Sequence, residues 1–234
     1  MLYLIGLGLD DKEITEKGLE ALEEVDKAFA EFYTNTETVD LERLEEKTGQ
    51  DIEKLPRDKV EREDKIIDSA EEKDTAFLVS GDPLTATTHY DIKHRAQEQG
   101  LEVEVIHAPS IFTSIAETGL NVYKFGRTVT LPKDSAPQSV ADYIEKNDKI
   151  GLHSLILLDI NYRAEKAAEK LVNLNEDLAD RDAVVIERAN NDSQSISVAK
   201  LEDFGEKDLG EPPHCIIIIG DTSHKEDEFV EAYR

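Results

Sequence analysis

Asp82 stands in a segment, Ser80-Gly81-Asp82-Pro83-Leu84-Thr85-Ala86-Thr87-Thr88-His89, whose residue types suit ligand binding at the tip of a strand. An apolar run of strand type at 76–79 meets a Gly-Asp-Pro turn, and a threonine-rich stretch leads on into a helical pattern. Open α/β sheets bind their ligands at the carboxyl ends of strands. Gly81 lets the backbone approach a ligand closely, Pro83 fixes the exit direction, and Asp82 sets one carboxylate at the tip. An aspartate before proline in a turn ordinarily caps backbone amides, so capping is the first reading of Asp82 and catalysis the second. Thr85, Thr87 and Thr88 read as helix caps.

Three further loops have the same character. Ile106-His107-Ala108-Pro109-Ser110-Ile111 ends a strand-like run and opens a helix, the run at 155–160 ends near Asp159, and that at 184–189 ends in Glu187-Arg188-Ala189. Leu4-Ile5-Gly6-Leu7-Gly8-Leu9 is a strand entering a glycine turn. It lacks the third glycine of a dinucleotide fingerprint, and no phosphate-binding GxxxxGK[ST] occurs, so Gly6 and Gly8 read as a tight turn. The six histidines show no metal-ligand spacing, so no metal site is expected; composition leaves a Ser-His-Asp triad open, but no GxSxG elbow is present. Cys215, the single cysteine, precedes four isoleucines and reads as a small buried hydrophobe.

These loops need a scaffold of alternating strands and helices, which is an α/β architecture. Strands are expected at 2–7, 27–33, 76–79, 102–106, 129–131, 154–158, 183–186, 195–198 and 215–219. Ala164, Ala167, Ala168, Leu171 and Val172 recur at helical period and predict one clear amphipathic helix. Leu19, Leu22 and Val25 repeat the pattern more weakly, as do Val140, Tyr143 and Ile144. A glycine-bracketed segment at 119–126 interrupts the alternation. It sets the expected boundary between an N-terminal domain (1–120, with the Gly-Asp-Pro loop) and a C-terminal one (121–234).

Charge narrows the partners. The chain carries 53 acidic and 27 basic residues, a formal net charge of −26. Its acid runs lie within apolar-periodic stretches, so they read as solvated helix faces rather than a disordered tail. Such an excess repels itself in a compact fold unless salt screens it, which fits a salt-rich, halophile-like cytoplasm. It also argues against nucleic acid as a partner, since that binding runs on Lys and Arg. No apolar run approaches membrane-spanning length and no signal segment opens the chain, so a cytoplasmic location is expected.

LIGLGLDDKEITEKGLEAL, AEFYT, SGDPLTATTH, IHAPSIFTSIAETGLNVYKFG, GLHSLILLDI and EPPH occur in an order that resembles the diphthine synthases. That family belongs to the tetrapyrrole methylase-like, class III S-adenosylmethionine methyltransferases. The GDPLxATTH and HAPSIxxxxxxTGLxxYKFG combination carries the likeness; the Gly-Asp-Pro turn alone indicates the wider class. The resemblance implies a two-domain α/β homodimer whose active-site cleft lies between the domains, with S-adenosyl-L-methionine as cofactor. Carried over by motif, the cofactor positions are Leu9, Asp82, Thr85, Ser110, Ile111, Leu158, Ala189 and His214, with Thr85 acting through backbone or shape. No metal is implied.

The implied substrate is a 3-amino-3-carboxypropyl-histidine on translation elongation factor 2, whose amine the family methylates to diphthine in diphthamide biosynthesis. Displacement at a sulfonium methyl needs mainly proximity and alignment. Asp82, His89 and Tyr33 are the candidates for accepting the proton. The alternatives are methylation of a cobalamin- or sirohaem-pathway tetrapyrrole by the same class, or a non-catalytic adaptor of the same fold.

Overall fold

The structure, a computed structural model, describes residues 1–10, 12–31 and 39–234. Tyr33 and the end of the strand expected over 27–33 lie outside the described residues. The chain divides into two compact units, Met1–Thr113 and Ser114–Arg234. That division falls ahead of the expected 120/121, because the 3-10 turn at Ile115–Thr118 belongs with the second unit.

The first unit runs β1 (Leu2–Gly6), α1 (Glu16–Glu24), β2 (Lys27–Glu31), α2 (Leu41–Thr48), β3 (Ile52–Leu55), α3 (Arg57–Arg62), α4 (Lys65–Glu72), β4 (Thr75–Val79), α5 (Tyr90–Glu98) and β5 (Val103–Ile106), and α6 (Ile111–Ser114) opens near its end. Among the described residues its sheet is five-stranded and parallel, in the order β3-β2-β4-β1-β5. Leu2, Leu4, Phe77 and Val79 pack with Ile66, Ile67 and Ala70 of α4 and Ile92 and Ala96 of α5. Ile5, Leu7, Ala76 and Leu78 pack with Leu22 of α1 and Leu41 and Leu44 of α2. Side chains alternate across a strand, so these clusters are the two faces of the sheet. Each fully buried large side chain contributes about 1.5–3 kcal/mol, which pins both helical layers to the strands.

The chain therefore leaves β1 toward one face and leaves its neighbour β4 toward the other. Adjacent strands whose connections part in this way define the switch point where open α/β sheets hold ligands. β3 was not expected from the sequence. Its Ile52-Glu53-Lys54-Leu55 has two charged central residues and no alternation of its own. As an edge strand it needs only Ile52 and Leu55 buried, and Glu53 pairs with Lys27 at 3.1 Å and with Lys65. Charge on a short edge also discourages pairing with other chains.

The second unit contains β6 (Val129–Leu131), α7 (Gln138–Asp148), β7 (Ser154–Leu158), α8 (Ala164–Leu174), β8 (Asp182–Glu187), β9 (Ser195–Lys200), β10 (His214–Ile218) and α9 (His224–Glu231). Its mixed sheet has the order β6-β7-β10-β8-β9, with β10 antiparallel to both β7 and β8. Ala167, Ala168 and Leu171 of α8 pack on Ile156, Val185 and Ile216, as the helical period of that segment predicts. The small alanines let the helix lie close to the strands. Among the described residues no helix is long and apolar enough to cross a membrane.

Candidate functional site

The loops that follow β1 and β4 are locked together by backbone. Gly8 and Gly81 exchange hydrogen bonds (Gly8 N–H to Gly81 O at 3.1 Å, Gly81 N–H to Gly8 O at 2.6 Å), and the Leu7 amide donates to Val79 O at 2.8 Å. A Cβ at Gly6 would lie 2.6 Å from Gly81 O, so the approach requires glycine there. The glycine turn read from the sequence is thus a backbone clasp across the switch point. Leu9 lies over it, its amide donating to Glu13 Oε2 at 2.7 Å.

Asp82 is 6% exposed and caps its own turn. Its Oδ1 accepts from the Leu84 amide at 3.0 Å and from Thr85 Oγ1 at 2.9 Å, and its Oδ2 takes Nδ1–H of His107 at 2.6 Å. Burial pushes the carboxyl up, but the Leu84 amide, His107 and Thr85 outweigh it and hold it below the usual carboxylate range. Asp82 is accordingly an oriented anion at neutral pH. The Thr85 hydroxyl is turned onto Asp82, where it buttresses the carboxylate. Ser110, also 6% exposed, has its backbone bracketed by Thr113, whose hydroxyl accepts from the Ser110 amide at 3.1 Å and donates to its carbonyl at 2.8 Å. Ile111 follows as the first residue of α6. Leu9, Asp82, Thr85, Ser110 and Ile111 therefore gather on the loops after β1, β4 and β5.

His89 lies deeper. It is 1% exposed, edge-on to Phe77 with ring centroids 5.1 Å apart, and its Nδ1 meets Thr87 Oγ1 at 2.8 Å. Burial lowers its pKa to about 4, so it is neutral at physiological pH. That seat suits packing more than proton transfer. Of the threonines expected as caps of α5, Thr87 instead engages His89, which itself holds the cap position without a side-chain cap bond.

In the second unit one transverse row carries the remaining positions. Across β7, β10 and β8 the register pairs Cys215 with Leu157 and His214 with Glu187, so Leu158, His214 and Glu187 occupy one end of the sheet. The backbone amide of Ala164, first residue of α8, donates to His214 Nδ1 at 3.0 Å. The imidazole thus serves as the cap that α8 lacks from its own chain neighbours. With Nδ1 accepting, neutral His214 carries its proton on Nε2. That atom is buried without a hydrogen-bond partner, 3.9 Å from Glu187 Oε2. Burial lowers the His214 pKa against the pull of Glu187 and Glu165.

Ala189 follows β8 between two residues with left-handed backbone, Arg188 at φ 45° and Asn190 at φ 65°. Arginine in that region costs on the order of 1–3 kcal/mol. Bonds from Arg188 to Ser193 Oγ at 2.8 Å and Glu211 O at 2.5 Å hold it there. Cys215 is buried, and burial pushes its thiol up to about 12, consistent with a core role. Among the described residues no group of three or more His, Cys, Asp or Glu side chains is placed to hold a metal ion.

Sequence reasoning missed two participants. In the sequence His107 stands out only as part of a loop, because its pairing with Asp82 spans 25 positions. Ser80 Oγ, at the tip of β4, is buried with no hydrogen-bond partner. Its place before the Gly-Asp-Pro turn was the available signal.

A family model described as tetrapyrrole (corrin/porphyrin) methylases matches residues 1–205. A diphthine synthase of Methanococcus aeolicus is 40% identical, with 97% of this chain and 96% of that protein covered. A diphthine methyl ester synthase of Schizosaccharomyces pombe is 37% identical, with coverage of 100% and 94%. A crystal structure of diphthine synthase superposes with a TM-score of 0.94 at 33% identity, covering 99% of this chain and 95% of that one.

Proposed function

The chain belongs to the tetrapyrrole methylase family, in its diphthine synthase branch, and on that footing we propose that it methylates the amine of the 3-amino-3-carboxypropyl-histidine of translation elongation factor 2, using S-adenosylmethionine. The carrying observation is the likeness to diphthine synthases over nearly the whole length of both chains.

The residues present fit that donor. Ser80 Oγ and His214 Nε2 are buried polar atoms without partners, as expected of groups that await a ligand. Asp82 is an oriented anion, suited to a ligand that carries a sulfonium and an ammonium charge. Leu9, Ile111, Leu158 and Ala189 supply apolar contact. We assign Leu9, Asp82, Thr85, Ser110 and Ile111 of the first unit, and separately Leu158, Ala189 and His214 of the second, as the donor-contacting positions of each unit.

When bound, S-adenosylmethionine supplies a methyl group on sulfur that a neutral amine displaces in line. The chain's task is then to align the amine and exclude water, which accounts for much of the barrier reduction in such reactions. Asp82 is ionised and His89 neutral well below pH 7, so neither group titrates near neutrality. A rising pH–rate limb on the alkaline side of neutrality is then assigned to the acceptor amine, whose neighbouring carboxylate favours its protonated form. Asp82 and His89 are committed elsewhere and Tyr33 lies outside the described residues; in this scheme water takes the proton.

The test is methyl transfer to elongation factor 2 that carries the precursor, read as the mass of the modified peptide. Transfer to a tetrapyrrole and none to the factor would replace this reading. The name of the fission yeast relative supplies a second one, in which a carboxylate ester is also formed. Loss of a methyl group in mild alkali would identify that product. We further read the enzyme as a cytoplasmic homodimer adapted to salt.

A further inference from the structure

The glycine-bracketed segment 119–126, which interrupts the α/β alternation, lies outside the positions assigned to the donor. In the second unit it carries Val122 and Tyr123 at the surface, and Tyr123 is 92% exposed. Phe229 on α9 and Ile150 after α7 are exposed as well. Single exposed apolar residues are ordinary, whereas a cluster of them marks an interaction site. Direct contacts join the elements that carry these four. Phe229 packs on Gly119, where a Cβ would lie 2.3 Å from the Phe229 Cβ. The Asp221 amide donates to Gly151 O at 3.1 Å, and the Asp221 carbonyl accepts from Lys124 Nζ, which ties the turn of Ile150 to that of Tyr123.

The surface is held rigid from beneath. Asn121 caps the 3-10 turn Val122–Lys124 by accepting the Tyr123 amide at 3.1 Å. Its own amide donates to Oε1 of buried Glu226 at 3.0 Å, and Lys124 Nζ meets Glu226 Oε2 at 2.7 Å. A buried ion pair is weak evidence for added stability. Here it fixes the backbone on either side of Tyr123, so little is left to order when the ring is covered. Preorganised aromatic side chains are the common anchors of protein interfaces.

Charge decides the occupant. Glu117, Asp221, Asp227, Glu228 and Glu231 are exposed on these turns and on α9. The lysines among them are engaged: Lys124 faces Glu226, Lys225 pairs with Glu228 at 2.8 Å, and Lys149 pairs with Glu145 at 2.7 Å. An apolar centre inside an acidic rim fits a protein that offers an apolar hollow edged by lysine or arginine. A second copy would set this rim against an identical one, and nucleic acid would meet it with like charge.

We infer that this surface docks the protein substrate, a step that rests on the reading of function above. Tyr123 enters an apolar hollow of the elongation factor, Val122, Ile150 and Phe229 close around it, and the carboxylates face basic side chains. Such a contact raises affinity for the whole protein and leaves the chemistry at the histidine unchanged.

The experiment compares wild type with Tyr123→Ala and with Glu117→Lys/Glu228→Lys at one fixed KCl concentration. Kd is measured for elongation factor 2 carrying the precursor and, separately, for S-adenosylhomocysteine, and sedimentation gives the oligomeric state. Tyr123→Ala should weaken factor binding by about thirtyfold or more, as for an aromatic hot spot. It should leave S-adenosylhomocysteine binding and sedimentation unchanged, and Tyr123→Phe should keep most of the affinity. Charge reversal should weaken factor binding as well. Normal factor binding by Tyr123→Ala overturns the inference, as does an equal weakening of S-adenosylhomocysteine. A drop in sedimenting mass overturns it too, because this face would then be a contact between copies. Unchanged or tighter binding after charge reversal would rule out a basic partner. If wild type methylates the factor while the variants bind it normally, the docking surface alone falls; if wild type methylates no form of it, the functional reading falls.

Discussion

His107, at the end of the first unit's edge strand β5, places Nδ1 2.6 Å from Oδ2 of Asp82 on the loop after β4. β1 lies between these two strands, so the contact bridges the loops over the central strand of the switch point. It leaves Asp82 with one oxygen committed to its own turn and the other steadied by a side chain that is 68% exposed.

Asp82→Ala should weaken S-adenosylmethionine binding, by about tenfold or more if the carboxylate meets a charged group of the donor. His107→Ala should have a smaller effect of the same sign, since it releases the carboxylate without removing it. Calorimetric titration of the donor checks both. If Asp82→Ala binds the donor normally and only turnover falls, Asp82 is not the donor's holder.

His89 makes stability depend on pH. Its folded pKa, about 4, lies below the 6.5 of a free imidazole because burial disfavours the charged ring. Below pH 6.5 the unfolded chain therefore binds a proton that the folded chain refuses. The stability tied to neutral His89 is complete above pH 6.5 and is lost as pH falls through about 4, on the order of 3 kcal/mol in all. Denaturant melts across pH 4–7 should show the slope, and His89→Gln should flatten it. An unchanged slope in that variant would remove His89 as its source.

Glu226 ties the end of the second unit together. Its Oε1 accepts from the Asn121 amide at 3.0 Å and from His153 Nε2 at 3.1 Å, and its Oε2 accepts from Lys124 Nζ and the Ser223 amide, each at 2.7 Å. Burial raises the carboxyl pKa, but Lys124, the two amides and His153 overcome it and hold the group far below the usual range. Glu226→Ala should cost about 3–5 kcal/mol, because it leaves buried partners uncompensated. Glu226→Gln should cost less. Chemical denaturation reads both, and a loss under about 1 kcal/mol for the alanine variant would show the network to be dispensable.

The charge of −26 predicts stabilisation by salt. Raising KCl from low concentration to molar shortens the Debye length from about 10 Å at 0.1 M to about 3 Å, which relieves self-repulsion. Tm should rise by several degrees, with about 2–4 °C for each kcal/mol gained in a chain of this size. A Tm independent of KCl would show that the acidic surface is not tuned to salt.

Most of the scaffold was legible in the residues. Helical period in 164–172 corresponds to α8, and the apolar runs at 129–131 and 154–158 correspond to β6 and β7. β3 was not, since an edge strand needs only two buried side chains and Glu53 and Lys54 conceal them. The Gly-Asp-Pro loop declared itself because turn chemistry is local. Asp82 reads as a cap from sequence and acts as one, through Leu84 and Thr85.

By itself, then, the sequence determined the α/β class, the strand tips, the charge of the surface and the family likeness. These depend on period, composition and motif, all of which are readable over a few residues. Only the tertiary structure decided that His107 serves Asp82 and that α8 is capped by His214. The reason is physical: such pairings join residues from separate elements, and sheet order and register bring them together where local pattern carries no trace of it.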